Sequence, residues 1–422
     1  MVIPDTRHRT GSPGLRRINL ALFAAGLTTF MSLYCTQALL PELSGAFAVP
    51  PARASLLVSL ATGAVALAVV PVSSLSERFG RTRVMIVSSL ASAAVGLLLP
   101  LCTTFGTLAA ARALQGVALA GVPAVAMAYL ADEVHGLSLG AAMGRYVAGT
   151  GIGGVLGRLV PSTVSDVAGW RWGLAATGLV ASAFTLAFWA LLPPSRHFRP
   201  APVDHRALLR HLRDPGLRRL YLIALTAMAG FVTVFNFLTY RLLDAPFGLP
   251  QSVVGLIAVT NLAGSAASAR AGTLADRIGR RAVLPGACGV AACGLALTFP
   301  ASLPLVAVGL LVFTCGFFAT HAVASGWVGA RAATGRAQAS ALYLCAYYLG
   351  SSIGGTAGGL AYERAHWTGT ALYVLVLFGV ACLAAATVDE RVISGGQTTK
   401  GADLAPSGQR TESNAGHGGH AA

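Results

Sequence analysis

Three charged side chains, Glu42, Arg112 and Arg158, lie within or at the ends of long apolar segments. A charge in such surroundings is costly unless it is paired, so each is a candidate functional group. Because Glu42 is the natural counter-ion for either arginine, we expect the three to form a charge cluster. A carboxylate that pairs with arginine in one conformation only changes its proton affinity, which predicts proton coupling at Glu42. Alternatively, Glu42 is a solvated residue at the end of its segment.

A second group of polar and aromatic residues is expected to line a ligand cavity. Several of them are three or four residues apart, a spacing that places side chains on one face of a helix. Tyrosines at such positions also serve as packing or interface groups. His321 is either a second titrating group or a buried histidine satisfied by its neighbours. The candidates are Tyr34, Gln37, Gln115, Asn236, Tyr240, His321, Tyr343 and Tyr347.

Two short stretches, residues 73–83 and residues 272–281, have nearly the same sequence. We call them the first and second hinge. Each has an acid that could cap a neighbouring helix and pair with an arginine of the same loop, which predicts a latch holding one conformation. Alternatively, the arginines only set membrane topology. The latch residues are Glu77, Arg78, Gly80 and Arg81 in the first hinge, and Asp276, Arg277, Gly279 and Arg280 in the second.

A glycine pattern is repeated at a similar separation. Glycine at every fourth position reduces one helix face to backbone, so another helix can approach closely. We expect this contact at the interface between two halves of the chain. The segment 149–154 also matches the G-x-G-x-x-G motif of dinucleotide-binding sites. Such a site needs a β-strand before the motif, and the sequence predicts none. The glycines are Gly149, Gly153 and Gly157, repeated as Gly350, Gly354 and Gly358.

The composition indicates a membrane protein. The chain has 422 residues, of which 55% are hydrophobic and 11% are charged. A soluble domain carries about 25% charged residues, so this chain has too little polar surface to coat a soluble globule. Its net charge of +15 does not indicate nucleic-acid binding, because the arginines are spread over alternate loops. The seven cysteines form no metal-binding spacing, and we expect no cofactor and no metal site.

The hydropathy pattern predicts an all-α integral membrane fold with twelve transmembrane helices in two pseudo-symmetric six-helix bundles. Arginine-rich loops alternate with arginine-poor loops, and this asymmetry predicts that both termini are cytoplasmic. The expected spans are 18–40, 54–74, 84–101, 106–130, 138–160, 171–193, 217–240, 252–271, 282–300, 303–328, 337–361 and 367–387.

The spans divide the chain into five parts. Residues 1–17 form a cytoplasmic tail, residues 18–193 an N-terminal bundle, and residues 194–216 a cytoplasmic central loop. Residues 217–387 form a C-terminal bundle. Residues 388–422 are rich in small polar residues and are expected to be a disordered cytoplasmic tail.

These motifs resemble those of the major facilitator superfamily of transporters. Residues 276–281 match its signature loop between the second and third helices of a half, and residues 112–116 match its Arg-x-x-Gln-Gly motif. Residues 34–37, the Gly157-Arg158 pair and residues 347–352 resemble the acriflavine-sensitivity (YnfM-like) branch. In the first hinge, Glu77 stands where the motif usually has Asp, and span five lacks the Gly-Pro of many drug antiporters.

The resemblance implies two bundles that rock about a central cavity, and coupling that is usually to protons. We therefore expect a secondary active transporter of the inner or plasma membrane that exports small organic molecules in exchange for protons. Proton-linked uptake and a non-transporting receptor or scaffold are the alternatives. The expected partners are the lipid bilayer, a small-molecule substrate and protons, with no nucleic acid, and the expected state is a monomer. No nucleophile–base set indicates an enzyme.

Overall fold

The computed structural model of the protein describes residues 7–198, 205–332 and 335–389, and in these ranges the regular structure is helical. We call residues 7–198 the N-half and residues 205–389 the C-half. The N-half helices are α1 (Pro13–Tyr34), α2 (Leu40–Ala46), α3 (Pro51–Ala54), α4 (Leu56–Phe79), α5 (Arg81–Leu98), α6 (Phe105–Leu119), α7 (Gly121–Glu133), α8 (Gly136–Ala168) and α9 (Trp170–Leu191). The C-half helices are α10 (His205–Arg213), α11 (Pro215–Leu243), α12 (Gln251–Gly255), α13 (Thr260–Ile278), α14 (Arg280–Ala296), α15 (Leu303–Arg331) and α16 (Arg336–Ala386).

Local sequence signals set many of these helix ends. Proline stands in the first turn of α1 and α11, where no intrahelical donor is lost. Ser12 caps α1 by accepting from the Leu15 N–H, and Asp214 caps α11 by accepting from the Leu217 N–H. Thr104 and Thr107 form a reciprocal capping box at the start of α6.

Eight helical segments of the described residues are long and apolar enough to cross a membrane. One of them, Gln338–Ala386, has 49 residues. At ~1.5 Å per residue a straight helix of this length is more than twice as long as a bilayer core is thick. The backbone leaves the helical region at Ala365 and His366, so α16 consists of two arms that meet there. The expected separation of residues 337–361 from residues 367–387 falls at this kink.

The repeated glycines lie at close helix contacts within each half. A Cβ atom on Gly149 would stand 2.4 Å from the Phe23 carbonyl oxygen of α1, and one on Gly153 would stand 2.2 Å from that of Leu27. In the C-half a Cβ atom on Gly350 would stand 2.0 Å from the Leu225 carbonyl oxygen of α11. Gly157, Gly354 and Gly358 have equally close neighbours on the same two helices. The expectation of a contact between halves is corrected: each glycine face packs on the first long helix of its own half.

Several helices are longer than the sequence predicted. Helix α4 continues to Phe79 and α13 to Ile278, so the hinge acids Glu77 and Asp276 lie in the last turn of a helix. The helix that follows each hinge begins without a side-chain cap, so neither acid has the expected capping role. Helix α8 continues to Ala168, beyond the predicted end at residue 160. Residues 1–6, 199–204 and 390–422 of the predicted tails and central loop lie outside the described residues.

Candidate functional site

The two ends of the helical assembly differ in how the halves are joined. We call the end where α1 and α11 begin the terminal face and the end where they finish the opposite face. All hydrogen bonds between the two halves of the described chain lie towards the opposite face. They join Gln37 to Asn236 (2.7 Å) and to the Val232 carbonyl (3.4 Å), Ala52 N–H to Glu363 (2.9 Å), Ser252 to Asp166 (2.6 Å), Thr356 to Ser59 (2.9 Å), and Gln251 to the Ala38 carbonyl. These bonds seal the opposite face.

A cavity of about 170 Å³ lies between the halves, on the terminal side of this seal. It is bordered by α1 and α8 of the N-half and by α11, α13, α15 and α16 of the C-half. Its aromatic wall consists of Phe30, Tyr34, Phe231, Phe317, Phe318 and Tyr347. Its polar groups are Thr150, Arg158, Asn261, Ser265, Ser268 and His321. The cavity therefore combines an apolar wall with a few polar groups, as small-molecule sites commonly do.

A second cavity, of about 430 Å³, lies at the terminal face between α1, α8 and the segment before α1. Arg16, Asn19 and Arg145 are among its lining residues. All of its lining residues belong to the N-half, so relative movement of the halves does not open or close it. The smaller cavity, which both halves line, is the candidate functional site.

Arg158 is the charged group of the candidate site, and it is only 2% exposed. Its Nε donates to Gln37 Oε1 at 2.7 Å and its Nη1 donates to the Gly154 carbonyl at 2.6 Å. The guanidinium also lies 4.5 Å from the ring centre of Tyr34 and 4.9 Å from that of Phe235, which are cation–π distances. Because Gln37 also bonds Asn236, a polar chain links Arg158 to the C-half.

Arg112 is buried elsewhere, inside the N-half. Its nitrogen atoms donate to the carbonyl oxygens of Leu57 (3.0 Å), Ser32 (2.8 Å) and Leu33, and to Gln115 Oε1. Gln115 in turn donates to the Ser92 carbonyl at 3.3 Å. Arg112 and Gln115 thus form a saturated polar core between helices, and neither lines the cavity.

Glu42 lies at the start of α2 near the opposite face and accepts from the Trp170 N–H at 2.7 Å and from the Ser165 hydroxyl. In this structure it contacts neither arginine, so the three members of the predicted charge cluster are not together. A pairing with arginine in another conformation stays a prediction.

His321, Tyr343 and Tyr347 come together beside the cavity: the two tyrosines are four residues apart on α16, and the packing of α15 on α16 brings His321 to them. The Tyr343 hydroxyl is 3.0 Å from His321 Nδ1, and the ring centres of His321 and Tyr347 are 4.8 Å apart. Tyr34, Tyr347 and His321 line the cavity, whereas Tyr343 is not among the lining residues and contacts His321. Tyr240 lies away from it, packed on Phe237 and Tyr362.

The first hinge forms an ion network at the terminal face. Arg81 donates to Glu77 at 3.0 Å and to Asp132, which lies at the end of α7. Its guanidinium is 5.1 Å from the ring centre of Phe198, and its side chain is nearly buried. Arg78 is exposed over the ring of Phe79. The network therefore ties α4, α5 and α7 together within the N-half.

The second hinge forms no such network among the described residues. Asp276 and Arg277 are exposed, and Arg280 has no carboxylate partner in that part of the chain. The C-half instead has an ion pair between Arg331, at the end of α15, and Asp214, at the start of α11, with Nε and Oδ1 2.8 Å apart. Burial would raise the pKa of Asp214, but the hydrogen bonds from Arg331 and from the Leu217 N–H give a net lowering.

Four ionic residues of these networks were missed in the sequence: Asp132, Glu133, Asp214 and Arg331. Glu133 is 1% exposed and accepts from the N–H groups of Arg196 and His197 at 2.6 and 2.8 Å, which fixes the start of the central loop to the N-half. Their positions could have indicated them, because each of the four lies within a few residues of the end of a predicted apolar span. The described residues contain no cluster of metal-ligating side chains.

Comparison with known proteins identifies the type of fold and its relatives. The family model of the Major Facilitator Superfamily matches residues 22–335 and, in a second match, residues 220–412. The chain is 40% identical to the inner membrane transport protein YnfM of Escherichia coli (strain K12), over 92% of this chain and 94% of that protein. It is also 40% identical to the uncharacterized MFS-type transporter YybF of Bacillus subtilis (strain 168), over 86% of this chain and 90% of that protein.

A solved structure is similar to the whole arrangement of helices. It is that of a bacterial homolog of the human lysosomal transporter Spinster, in an inward-facing and unoccupied conformation. The superposition covers 89% of this chain and 96% of the homolog's chain, with a TM-score of 0.74 and 16% sequence identity. At that identity the likeness concerns the fold alone.

Proposed function

This chain belongs to the major facilitator superfamily of membrane transporters, and on that premise we propose that it is a secondary active transporter that exports small organic molecules in exchange for protons. It works by alternating access, in which two six-helix bundles expose one cavity to each side of the membrane in turn. The observation that carries the proposal is a cavity lined by both halves, with the hydrogen bonds between the halves of the described chain on one side of it only.

The proposed membrane arrangement has twelve spans. The eight long apolar segments contribute nine of them, because α16 has two arms. Helices α1, α8 and α14 contribute the other three, although the arginines of α1 and the glycines of α8 make these helices less apolar. The terminal face carries the arginine-rich loops and is the cytoplasmic face by the positive-inside rule. The name of YnfM supports an inner-membrane location.

On this orientation the cavity faces the cytoplasm and would take up its substrate there. Release on the other side requires the bonds at the opposite face to break while the halves close at the terminal face. The bond between Ser252 and Asp166 therefore forms and breaks once in every cycle, and so does the link between Gln37 and Asn236.

The proposed coupling group is His321. It borders the cavity, where a bound substrate and a proton would meet, and its described neighbours are Phe317, Tyr343 and Tyr347. An imidazole can exist with or without its proton, and a change of its surroundings between conformations can change which form is favoured. Glu42 is the other candidate, but it is bound to Ser165 and Trp170 outside the cavity.

A reversible cross-link tests alternating access. In the Asp166→Cys/Ser252→Cys double variant, a disulfide formed by oxidation holds the opposite face shut. Everted membrane vesicles with an acid interior are given a panel of organic solutes, and a solute that dissipates the pH gradient identifies proton-coupled export. We expect oxidation to abolish this signal in the double variant and reduction to restore it.

The two single-cysteine variants are the controls, because the chain has native cysteines that oxidation can also modify. A cross-linked double variant that still transports at the rate of the single variants would refute alternating access. No dissipation by any solute in the wild-type protein would refute proton-coupled export. His321→Gln and Glu42→Gln, measured in the same vesicles, decide between the two coupling groups: the variant that loses dependence on the gradient identifies the group.

A further inference from the structure

The two buried arginines differ in how completely they are hydrogen-bonded. Each nitrogen of Arg112 donates to at least one protein acceptor. In Arg158, Nε and Nη1 donate, but Nη2 is buried and has no acceptor among the described residues. A buried donor without an acceptor is expensive, by ~1–3 kcal/mol and more for a charged group. Arg112 is therefore a structural residue, whereas Arg158 has an unused donor.

The charge of Arg158 is also uncompensated. A guanidinium stays protonated even when it is buried. The lining residues of the cavity include no aspartate and no glutamate. Glu42, the counter-ion that the sequence suggested, is bound to Ser165 and Trp170. The rings of Tyr34 and Phe235 stabilise the cation only in part, because a cation–π contact contributes less than an ion pair in apolar surroundings.

The rest of the cavity wall suits an apolar group beside that charge. The rings of Phe231 and Phe317 are stacked with their centres 4.0 Å apart, and Phe318 meets Phe231 edge-on at 5.9 Å. A second donor, the hydroxyl of Tyr34, is buried in the same wall and has no partner among the described residues. A ligand that satisfies these groups carries a hydrogen-bond acceptor with negative charge at one end and apolar surface at the other.

We infer that the cavity binds an organic anion with one carboxylate and an aromatic or aliphatic body, and that this carboxylate accepts a hydrogen bond from Nη2 of Arg158. The inference rests on the proposed function, since it names the substrate class of the same cavity. A neutral ligand would leave the arginine uncompensated, and an organic cation would be repelled by it. A phosphate monoester would bring a second negative charge, for which the lining residues offer no second arginine or lysine.

Equilibrium dialysis of the purified full-length protein in detergent tests this inference without requiring transport. The probes are phenylacetate, 3-phenylpropionate and 4-phenylbutyrate, each compared with its uncharged amide of nearly the same shape. For at least one length we expect the carboxylate to bind about 10- to 100-fold more tightly than the amide, because a charge-assisted hydrogen bond is involved. In Arg158→Gln the two should bind with similar affinity, and Arg158→Lys should keep part of the preference.

Arg171→Gln is the matched control, because Arg171 is exposed over Trp170 at the opposite face and does not line the cavity. It should bind every probe as the wild type does. Thermal unfolding of each variant in the same detergent shows whether it is folded. If Arg158→Gln does not fold, the comparison of acid and amide is made with Arg158→Lys instead.

The outcomes separate this inference from the proposed function. Equal binding of acid and amide at all three lengths, or a preference that persists in Arg158→Gln, would overturn the inference. If the vesicles export neutral or cationic solutes only, transport stands and the organic-anion assignment is wrong. If carboxylates bind through Arg158 but none moves in vesicles, the binding site stands and the proposed transport is wrong.

Discussion

At the first hinge the backbone turns at Gly80 with φ 89° and ψ 144°, and at the second it turns at Gly279 with φ 90° and ψ 143°. Both values lie in a region that side chains with a Cβ atom rarely adopt, so glycine is required at each turn. The charges around the turns differ. Arg81 is buried between two carboxylates, whereas Arg280 has no carboxylate partner among the described residues. The two turns therefore share their backbone geometry but differ in the ion pairs around them.

The difference between the hinges arises at the end of α7 in the N-half and at the end of α15 in the C-half. Asp132 stands 51 residues after Arg81, and the position at the same separation from Arg280 is occupied by Arg331. A second arginine cannot neutralise Arg280, and Arg331 pairs with Asp214 instead. Each half is therefore tied at the terminal face by its own ion pairs: the N-half through its hinge, the C-half through the start of α11.

The largest expected effect is a difference in transport rate between the variants Arg81→Gln in the first hinge and Arg280→Gln in the second. Removing Arg81 takes away the cation that donates to the partly buried carboxylates of Glu77 and Asp132. We expect this to shift the balance between conformations by roughly 1–3 kcal/mol, about 5- to 150-fold in population, and to lower transport accordingly. Removing Arg280, which has no carboxylate partner within the described ranges, should change transport by less than about twofold. Initial rates in vesicles, normalised to the amount of inserted protein, measure both. Equal losses would contradict the assignment of the network to one hinge.

A smaller effect is expected where the central loop is fixed to the N-half. Glu133→Ala removes the carboxylate that accepts from the N–H groups of Arg196 and His197. The loop should then open more often, and trypsin should cleave within residues 194–216 about tenfold faster, corresponding to a loss of roughly 1–3 kcal/mol. Glu363→Ala, a carboxylate at the opposite face, is the control. An unchanged cleavage rate in Glu133→Ala would exclude this attachment.

The smallest effect is expected at the C-half ion pair. Asp214→Ala loses the N-cap and the pair with Arg331, and should destabilise the protein by about 0.5–2 kcal/mol. Asp214→Asn keeps a capping oxygen and should lose less. Because the folded pKa of Asp214 is lowered, its contribution is present above the ordinary aspartate pKa of about 3.9 and disappears as the pH falls through the folded value. Thermal unfolding from pH 7 to pH 3 measures this, and a difference between wild type and Asp214→Ala that grows on acidification would contradict it.

The hinges also illustrate which features of the site were predictable. Glu77 and Arg81 are only four residues apart in the same hinge, so the local sequence indicated their link. Asp132 was not predicted as the third member, because only the packing of α7 against α5 brings it close. Helical spacing indicated Tyr34 and Tyr347, which line the cavity, but also Tyr240 and Tyr343, which do not, and His321 was a candidate only as a histidine within an apolar span. Glu42 contacts neither of the arginines that the sequence suggested as its partners.

The sequence by itself determined the membrane character, the long apolar segments, the two similar hinges and the two glycine faces, because these follow from hydropathy and from residue patterns along the chain. Only the tertiary structure decided that every guanidinium nitrogen of Arg112 has a hydrogen-bond acceptor, whereas Nη2 of Arg158 has none among the described residues. The physical reason is that their hydrogen-bond acceptors are contributed by other helices: Leu57 is 55 residues from Arg112, and Gln37 is 121 residues from Arg158. Whether a buried charge is structural or available to a ligand depends on those distant neighbours.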